Sequence, residues 1–545
     1  MLTQTVELFR GSWRYVSGLR AFLSVTLDVE EAMGVLKRQL EDRKQSFLRM
    51  LELGIYGNPH SPYRRLLLHA GFEFHDVKAL VRELGLEEAL ARLHDAGVYV
   101  TLDEFKGRAP VCRPGLEFPV SASDFDNGLL NVAYSSTTGG SRGGSTRVPI
   151  DFDFIAYETA SLVCNLEANG ISQGPVAIWQ ASPPSFHGLK NIFRLARASR
   201  MPAKWFSPNK PQWTRQGLQG RALLWCTLLV CRVSGRPAPA PAYLRHDRLN
   251  EIVDWLADAT RKGTPALVLC FPSPAVRACL AAEQTGADIS GTVFYGGGEA
   301  YTEGKAAVQR RAGTRHVVNY AMSESGSISF QCGARASADD MHVLTDKMAV
   351  LQRPLRLTSG AEVGALYHTS LLTTAPKLML NVESGDYAVL EERDCGCLWQ
   401  DMGLTTHISQ VRSYEKLTSE GVMFMGSMLY ELLEETLPAR FGGSPVDYQL
   451  AEEEENGVPK VKIIVSPRIG PVDEDAVIKA VLSAVGFAGW SRRMAETWQH
   501  AGTLRVERRE PYSTAASKLL PLHVLAASSR KAESRAGDIQ PSPLA

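Results

Sequence analysis

The chain has 545 residues, more than one hydrophobic core of ordinary size takes up, so two or three domains are expected. Apolar residues make up 44% and charged residues 22%, which excludes an intrinsically disordered chain. Lys plus Arg and Asp plus Glu number 59 each, so no global field favours nucleic acid or an acidic membrane face.

The opening stretch, MLTQTVELFRGSWRYVSGLR, lacks the uninterrupted apolar core and cleavage site of a signal peptide. Up to about residue 106 the texture is helical. Val29, Ala32, Met33, Val35, Leu36 and Leu40 recur at helical spacing, and LEEALARLHDAG repeats the pattern before stopping at Gly97. Residues 107–119, with three prolines and two glycines, have the composition of a linker. From Leu129 short apolar runs alternate with helical stretches: GPVAIWQ, TPALVLCF, GTVFYGGG and RHVVNYAM. That alternation predicts an α/β architecture with partly parallel strands. The most apolar run, ALLWCTLLVC at 222–231, lies between Arg221 and Arg232. It falls short of the roughly 20 residues a bilayer requires, so a buried strand or core helix is expected and no membrane partner. A Pro/Ala-rich break follows at 235–243.

Beyond residue 413 the chain behaves as a smaller unit. DYQLAEEEENG and VPKVKIIVSPR predict a hairpin turning at Asn456-Gly457. Asp473 is placed to cap a helix with Val477, Val481, Ala484 and Val485 on one face, closed by Gly486, and TLRVERRE predicts a further strand. The expected organisation is a large α/β domain over 1–413 with a helical entry region at 1–106, a small α+β domain over 414–525, and a disordered polar tail at 526–545. Nine thinly spread cysteines do not form the pattern of a secreted disulfide framework, so a cytoplasmic location is expected.

Residues 134–150, YSSTTGGSRGGSTRVPI, pack hydroxyls and glycines between the strand-like LLNVAY and the helix-like FDFIAYETASLVCNL. Glycines admit close approach of an anion, and hydroxyls with backbone N–H groups can surround phosphate oxygens. A flexible surface linker has the same composition, and no Gly-Lys-Ser/Thr follows as in a Walker-type loop. Further along stand Tyr295-Gly296-Gly297-Gly298-Glu299, Asn319-Tyr320-Ala321-Met322-Ser323-Glu324, Asn381-Val382-Glu383-Ser384-Gly385-Asp386 and Thr514-Ala515-Ala516-Ser517-Lys518. Cys395-Gly396-Cys397, with Cys332 and His342 earlier, supplies two ligand pairs that can close a Cys3His zinc site if the fold brings them together. A set of buried reduced thiols is the alternative.

Taken in order, these segments resemble the adenylate-forming superfamily of acyl-CoA synthetases and adenylation domains. The likeness is greatest to the phenylacetate-CoA ligase and capsule-type branch and spans about residues 60–520. Thr138-Gly139-Gly140-Ser141-Arg142-Gly143 is similar to that branch's T-G-G-S-T-G loop, with Arg142 in place of Thr. The resemblance implies a large adenylation domain followed by a small mobile one, activation of a carboxylic acid by ATP, and coenzyme A as acceptor. It implies that Thr137, Thr138, Gly139, Gly140 and Ser141 contact phosphate, and that Gly298, Glu299, Tyr320 and Ser323 lie about the nucleotide. Glu324 would hold Mg2+, Asp386 the ribose hydroxyls, and Lys518 the reacting carboxylate and α-phosphate. Arg412, at the hinge-like spacing from Gly421, would contact ribose, although Tyr414-Glu415 departs from the hinge pattern. Phe186 and His187, in SPPSFHGLKN, match the position that gates the acyl pocket. Members of the branch carry a zinc arrangement similar to Cys332, His342, Cys395 and Cys397. An aryl or arylacetic acid is the substrate class implied. An amine, hydroxyl or carrier protein as acceptor, or a non-catalytic nucleotide-binding module, are the alternatives.

Overall fold

The computed structural model describes residues 2–137, 147–171, 173–183, 185–210, 214–244, 249–356, 362–413, 429–455, 458–486, 504–514 and 517–524. Thr138, Gly139, Gly140, Ser141 and Arg142, the hinge-like segment with Tyr414, Glu415 and Gly421, the Asn456-Gly457 turn and the 526–545 tail lie outside them. The chain divides into two units. One takes in Met1–Glu415, Met423–Ser427 and Ser513–Leu519, the other Lys416–Val422, Met428–Tyr512 and Leu520–Ala545.

In the first unit the apolar periodicity before residue 106 does build helices, among them Leu2–Leu23, Val29–Met50, Pro62–His69, Phe74–Leu84 and Leu86–Asp95. Asp28 caps the second, its Oδ1 accepting from Glu31 N at 2.8 Å while Glu31 reaches back to Asp28 N. Residues 107–119 are a hairpin rather than a linker: Val111–Arg113 pairs antiparallel with Leu116–Phe118. Pro114-Gly115 forms its turn, with Gly115 at φ +77° where glycine alone is unstrained. The buried Arg113 guanidinium fastens it to the helix Leu102–Phe105 through Glu104 at 2.8 Å.

The four predicted runs become Val176–Trp179, Leu267–Leu269, Val293–Tyr295 and Arg315–Val317. With Lys204–Ser207 and Ala242–Tyr243 they form a wholly parallel sheet. Its order is Arg315–Val317, Val293–Tyr295, Leu267–Leu269, Val176–Trp179, Lys204–Ser207, Ala242–Tyr243. The chain therefore runs outward in one direction from Val176–Trp179 and then in the other, which leaves a crevice at the carboxyl ends of that strand and Leu267–Leu269. Strands from Asn319–Met322 to Thr406–Ser413 make a second, antiparallel sheet.

The 222–231 run lies in the helix Arg215–Val233. Leu224, Leu228 and Cys231 are buried, and Tyr15 Oη meets Thr227 Oγ1 at 2.6 Å, while Trp225 and Leu229 face outward. The run is thus half-buried, not wholly internal. Among the described residues no helix is long and apolar enough to cross a membrane.

In the second unit Tyr448–Glu455 and Val458–Val465 pair antiparallel with Glu455 opposite Val458. Leu504–Arg508 and Leu522–Val524 add parallel strands at its two edges. Asp473 Oδ1 accepts from Ala476 N at 3.0 Å at the start of the helix Glu474–Gly486, whose Val477, Ala480 and Val481 are buried.

Phe193 joins the helical entry region to the parallel sheet's helices: it is fully buried, with Phe152 at 5.9 Å, Tyr134 at 6.1 Å and Phe22 at 6.3 Å between ring centroids. Phe193→Ala is expected to cost about 3–5 kcal/mol of stability. Denaturant unfolding followed by circular dichroism measures it; a loss under about 1 kcal/mol would show that these rings do not share one core.

Candidate active site

Three loops leave the carboxyl ends of the central parallel strands and line one cavity of about 160 Å3: Gln180 after the first, Phe271 after the second, Gly296-Gly297-Gly298 after the third. The glycine turn is dictated by close approach. A Cβ on Gly297 would stand 1.6 Å from the Asn319 carbonyl oxygen, and one on Gly296, at φ +147°, 2.3 Å from that of Cys270. No side chain fits either place.

Lys518 lines the same cavity. Its Nζ lies 4.9 Å from the centre of the Phe271 ring and 2.9 Å from where a Gly298 Cβ would be. Burial lowers its pKa, while Glu299 favours the charged form. Glu299 itself is held at the start of the helix Pro272–Thr285, accepting from Ser273 N and Oγ at 2.7 Å each, and from Leu519 N at 3.2 Å. A carboxylate there is stabilised by the unpaired N–H groups of the first turn.

The helix His187–Arg197 presents His187, Lys190, Asn191 and Arg194 to the cavity, a stripe at helical spacing, while Leu189, Ile192, Phe193 and Leu195 enter the core. His187 Nδ1 meets Ser185 Oγ at 3.0 Å. Burial, helped by Lys518 and Lys190, pushes its pKa down to about 4, so the ring is neutral at pH 7. Phe186 stacks on Tyr134 at 5.0 Å.

Behind this stripe lies Glu158, fully buried on the helix Phe152–Ala168. Its oxygens accept from Lys347 Nζ at 2.5 Å, Lys190 Nζ at 3.1 Å and Ser327 N at 3.2 Å. Burial would raise its pKa, but Lys190, Lys347 and Arg194 outweigh burial and hold it well below the usual carboxylate range. Sequence reasoning missed Glu158, Lys190, Asn191 and Arg194. The helical period starting from His187 carries the signal for the last three.

Tyr320 and Asp386 meet: Tyr320 Oη donates to Asp386 Oδ2 at 2.7 Å, and Ser413 Oγ donates to Oδ1 at 2.7 Å. Arg412, beside Ser413, pairs with Asp339 at 2.8 Å. Ser323 lines the cavity, but Glu324 does not; it is buried in an ion pair with Lys106 at 2.5 Å. Thr137 ends the strand Tyr134–Thr137, and the glycine-rich loop after it lies outside the described residues.

Elsewhere in the same unit Cys332, His342, Cys395 and Cys397 converge, their ligand atoms all within 4.8 Å of one another. His342 Nδ1 donates to the Leu404 carbonyl at 2.8 Å, which leaves Nε2 facing the thiols. Gln400 Oε1 accepts from Cys395 N at 2.7 Å and Gly396 N at 2.6 Å, fixing the Cys395-Gly396-Cys397 turn. Contact with the Cys332 thiol favours a thiolate at Cys397. Three thiols and an imidazole in this arrangement fit a tetrahedral soft cation with no open position.

No known family model matches the chain, and no curated protein matches it. Among solved structures it is similar to 2-hydroxyisobutyryl-CoA ligase in the postadenylation state in complex with R3-HIB-AMP. Identity there is 14% over 92% of this chain and 90% of that one, with a TM-score of 0.52. The same ligase with 2-HIB-AMP and CoA in the thioesterification state gives 16% identity over 94% and 90%, TM-score 0.45. The anthranilate CoA ligase AuaEII in complex with anthranoyl-AMP gives 11% over 72% and 65%, TM-score 0.42. At such identity the first likeness speaks to architecture alone, and the fold is similar to that of this solved CoA ligase.

His316 supports the glycine turn from below: it is fully buried, donates from Nε2 to the Gly296 carbonyl at 2.8 Å, and accepts at Nδ1 from Gln309. Burial pushes its pKa from 6.5 down to about 4. The unfolded chain therefore takes up this proton first, so its effect is a stability that is full above pH 6.5 and is lost as pH falls toward 4, on the order of 3 kcal/mol. His316→Gln is expected to flatten the acid limb of a stability-versus-pH curve in that window. An unchanged limb would place the neutral imidazole elsewhere.

Proposed function

We propose that this chain is an ATP-dependent carboxylic acid ligase that forms an acyl-adenylate and transfers the acyl group to a thiol such as coenzyme A. The observation that carries the reading is Lys518, a half-buried lysine brought to one cavity with the 296–298 glycine turn and the Phe186–His187 wall. The solved ligase of similar architecture is bound to an acyl-adenylate, which supports the assignment. Aromatic walls from Tyr134, Phe186 and Phe271 favour an aryl or arylacetic acid.

In the first step a carboxylate oxygen bonds to the α-phosphorus of ATP as the bond to pyrophosphate breaks. Charge gathers on the phosphoryl oxygens, and a fixed cation in a water-poor cavity stabilises it more than water does. Lys518 supplies that charge, which Glu299 favours against the opposing effect of burial. Phe186 and neutral His187 shield the acyl side without adding charge of their own. Tyr320, Asp386 and Ser413 form a polar cluster suited to ribose hydroxyls, with Arg412 beside it. In the second step the thiol sulfur bonds to the acyl carbon, the carbon–oxygen bond to AMP breaks and the thiol proton is lost. Mg2+ would accompany the triphosphate and offset its charge, and Glu324 stands in an ion pair with Lys106.

Zinc is the ion proposed for Cys332, His342, Cys395 and Cys397, where it would tie loop 395–397 to the antiparallel sheet. Elemental analysis of protein prepared without chelator is expected to find about one zinc per chain, and Cys397→Ser to lose it together with thermal stability. Metal content near zero in folded protein would remove the ion.

Lys518→Ala is expected to slow ATP–pyrophosphate exchange by about 100- to 1,000-fold while sparing consumption of a pre-formed acyl-adenylate. Exchange at the unaltered chain's rate would overturn the ligase assignment of this cavity.

A further inference from the structure

The cations on the Glu158 side of the cavity outnumber the carboxylates that face them. Lys347 is fully matched: it is buried, bonds to Glu158 at 2.5 Å, and has Asp346 as its chain neighbour. Lys190 uses the other Glu158 oxygen at 3.1 Å and keeps about a quarter of its side chain exposed. Arg194 has no such partner. It is 94% buried, and no carboxylate lies within ion-pair distance of its guanidinium among the described residues. Its NH groups bond to Asn191 Oδ1 at 3.4 Å and to the Glu158 carbonyl at 3.3 Å, both at the long limit, with the Tyr295 hydroxyl as a further polar contact, and its Nε has no partner. Of its five N–H donors, the one on Nε is left unused.

Lys190 and Arg194 also stand four residues apart on one helix face, where like charges repel. Asp346, even if ionised, leaves three cations against two carboxylates. Arg194 shares the field of Glu158 with two lysines that bond to it directly. A buried guanidinium so under-compensated is costly, and a carboxylate is the group to which its planar fork donates at two points. The neighbouring Gln180, Asn191 and Ser327 are polar but uncharged, so the missing charge has to come from what enters the cavity.

We propose that the acid accepted by this cavity is a dicarboxylic acid, whose second carboxylate is bound by Arg194 and Lys190 on the helix His187–Arg197 while the first reacts near Lys518. The proposal rests on the ligase reading above and names its substrate class. Stacked Tyr134 and Phe186 on the same cavity favour an aromatic skeleton between the two carboxylates.

The test is ATP–pyrophosphate exchange by the full chain with matched pairs: terephthalate against benzoate, 1,4-phenylenediacetate against phenylacetate, glutarate against butyrate. At least a tenfold higher kcat/KM for the diacid of a pair is expected, with that ratio falling toward one in Arg194→Met and partly restored in Arg194→Lys. Monoacids equal to or better than their diacids overturn the proposal and leave the ligase reading standing. Calorimetric titration of terephthalate and benzoate, with a non-hydrolysable ATP analogue present, separates the two ideas without catalysis. Tighter binding of terephthalate that Arg194→Met abolishes, in a chain showing no exchange, supports the anion site and removes the ligase reading. Absence of both exchange and binding overturns the two together. Should Arg194→Met not fold, the comparison of pairs on the unaltered chain still decides.

Discussion

Glu158 is the point on which the candidate site hangs. One buried carboxylate binds Lys190 on the helix His187–Arg197, Lys347 at the start of the strand pair Met348–Arg356 and Glu362–Ser370, and Ser327 N on the strand Gly326–Phe330. It rises from the helix Phe152–Ala168, whose other side packs into the main core. Removing one partner of a buried pair is far more damaging than never having had it, because the remaining charge stays buried. Gly326 is fitted to the same group: at φ +74° a Cβ would meet the Glu158 carboxylate at 2.7 Å. The helix His187–Arg197 and the antiparallel sheet are thereby referred to one charge, and the cavity they line keeps its shape.

The glycine turn is the second constraint, and it acts through backbone alone. Gly297 lies so close to Asn319 that the start of the antiparallel sheet is set against the end of a parallel strand. The next residue on that first antiparallel strand is Tyr320, which with Asp386 and Ser413 makes up the groups proposed for the nucleotide. A contact that tolerates no side chain carries positional information in the cheapest form, since it requires no hydrogen-bond partner to be conserved in place.

How far this was legible depends on what each residue's environment demands of sequence. The parallel strands were plain because strands buried on both faces are continuous apolar runs bounded by turn formers, as Val176–Trp179 and Leu267–Leu269 are. Their order was not, because long crossovers leave no local trace. The 111–118 hairpin was hidden by its own composition: three-residue strands carry too little period to outweigh Pro114-Gly115, and the Arg113–Glu104 pair that secures them is a tertiary fact. The apolar run at 222–231 revealed an element but not its outward face, where Trp225 and Leu229 stand. The thiol cluster was visible as residue types and spacing; that Cys332 and His342 reach Cys395 and Cys397 follows from sheet register, which spacing cannot supply.

The misses share a cause that bears on function. Glu158 is one of several polar residues on the helix Phe152–Ala168, as Lys190 and Arg194 are on the helix His187–Arg197, so each looks like a solvated position when read alone. Only their convergence shows that they are internal, and only the uneven count of charges shows that they are not a closed structural network. A buried network built for stability would be neutral and saturated, as Arg113–Glu104 is. Arg194 is neither, and replacing such a group by an apolar one is the substitution that often stabilises an empty protein. A chain that keeps it instead holds an unfilled demand for negative charge within its cavity, and the free energy of meeting that demand is available to whatever anion enters.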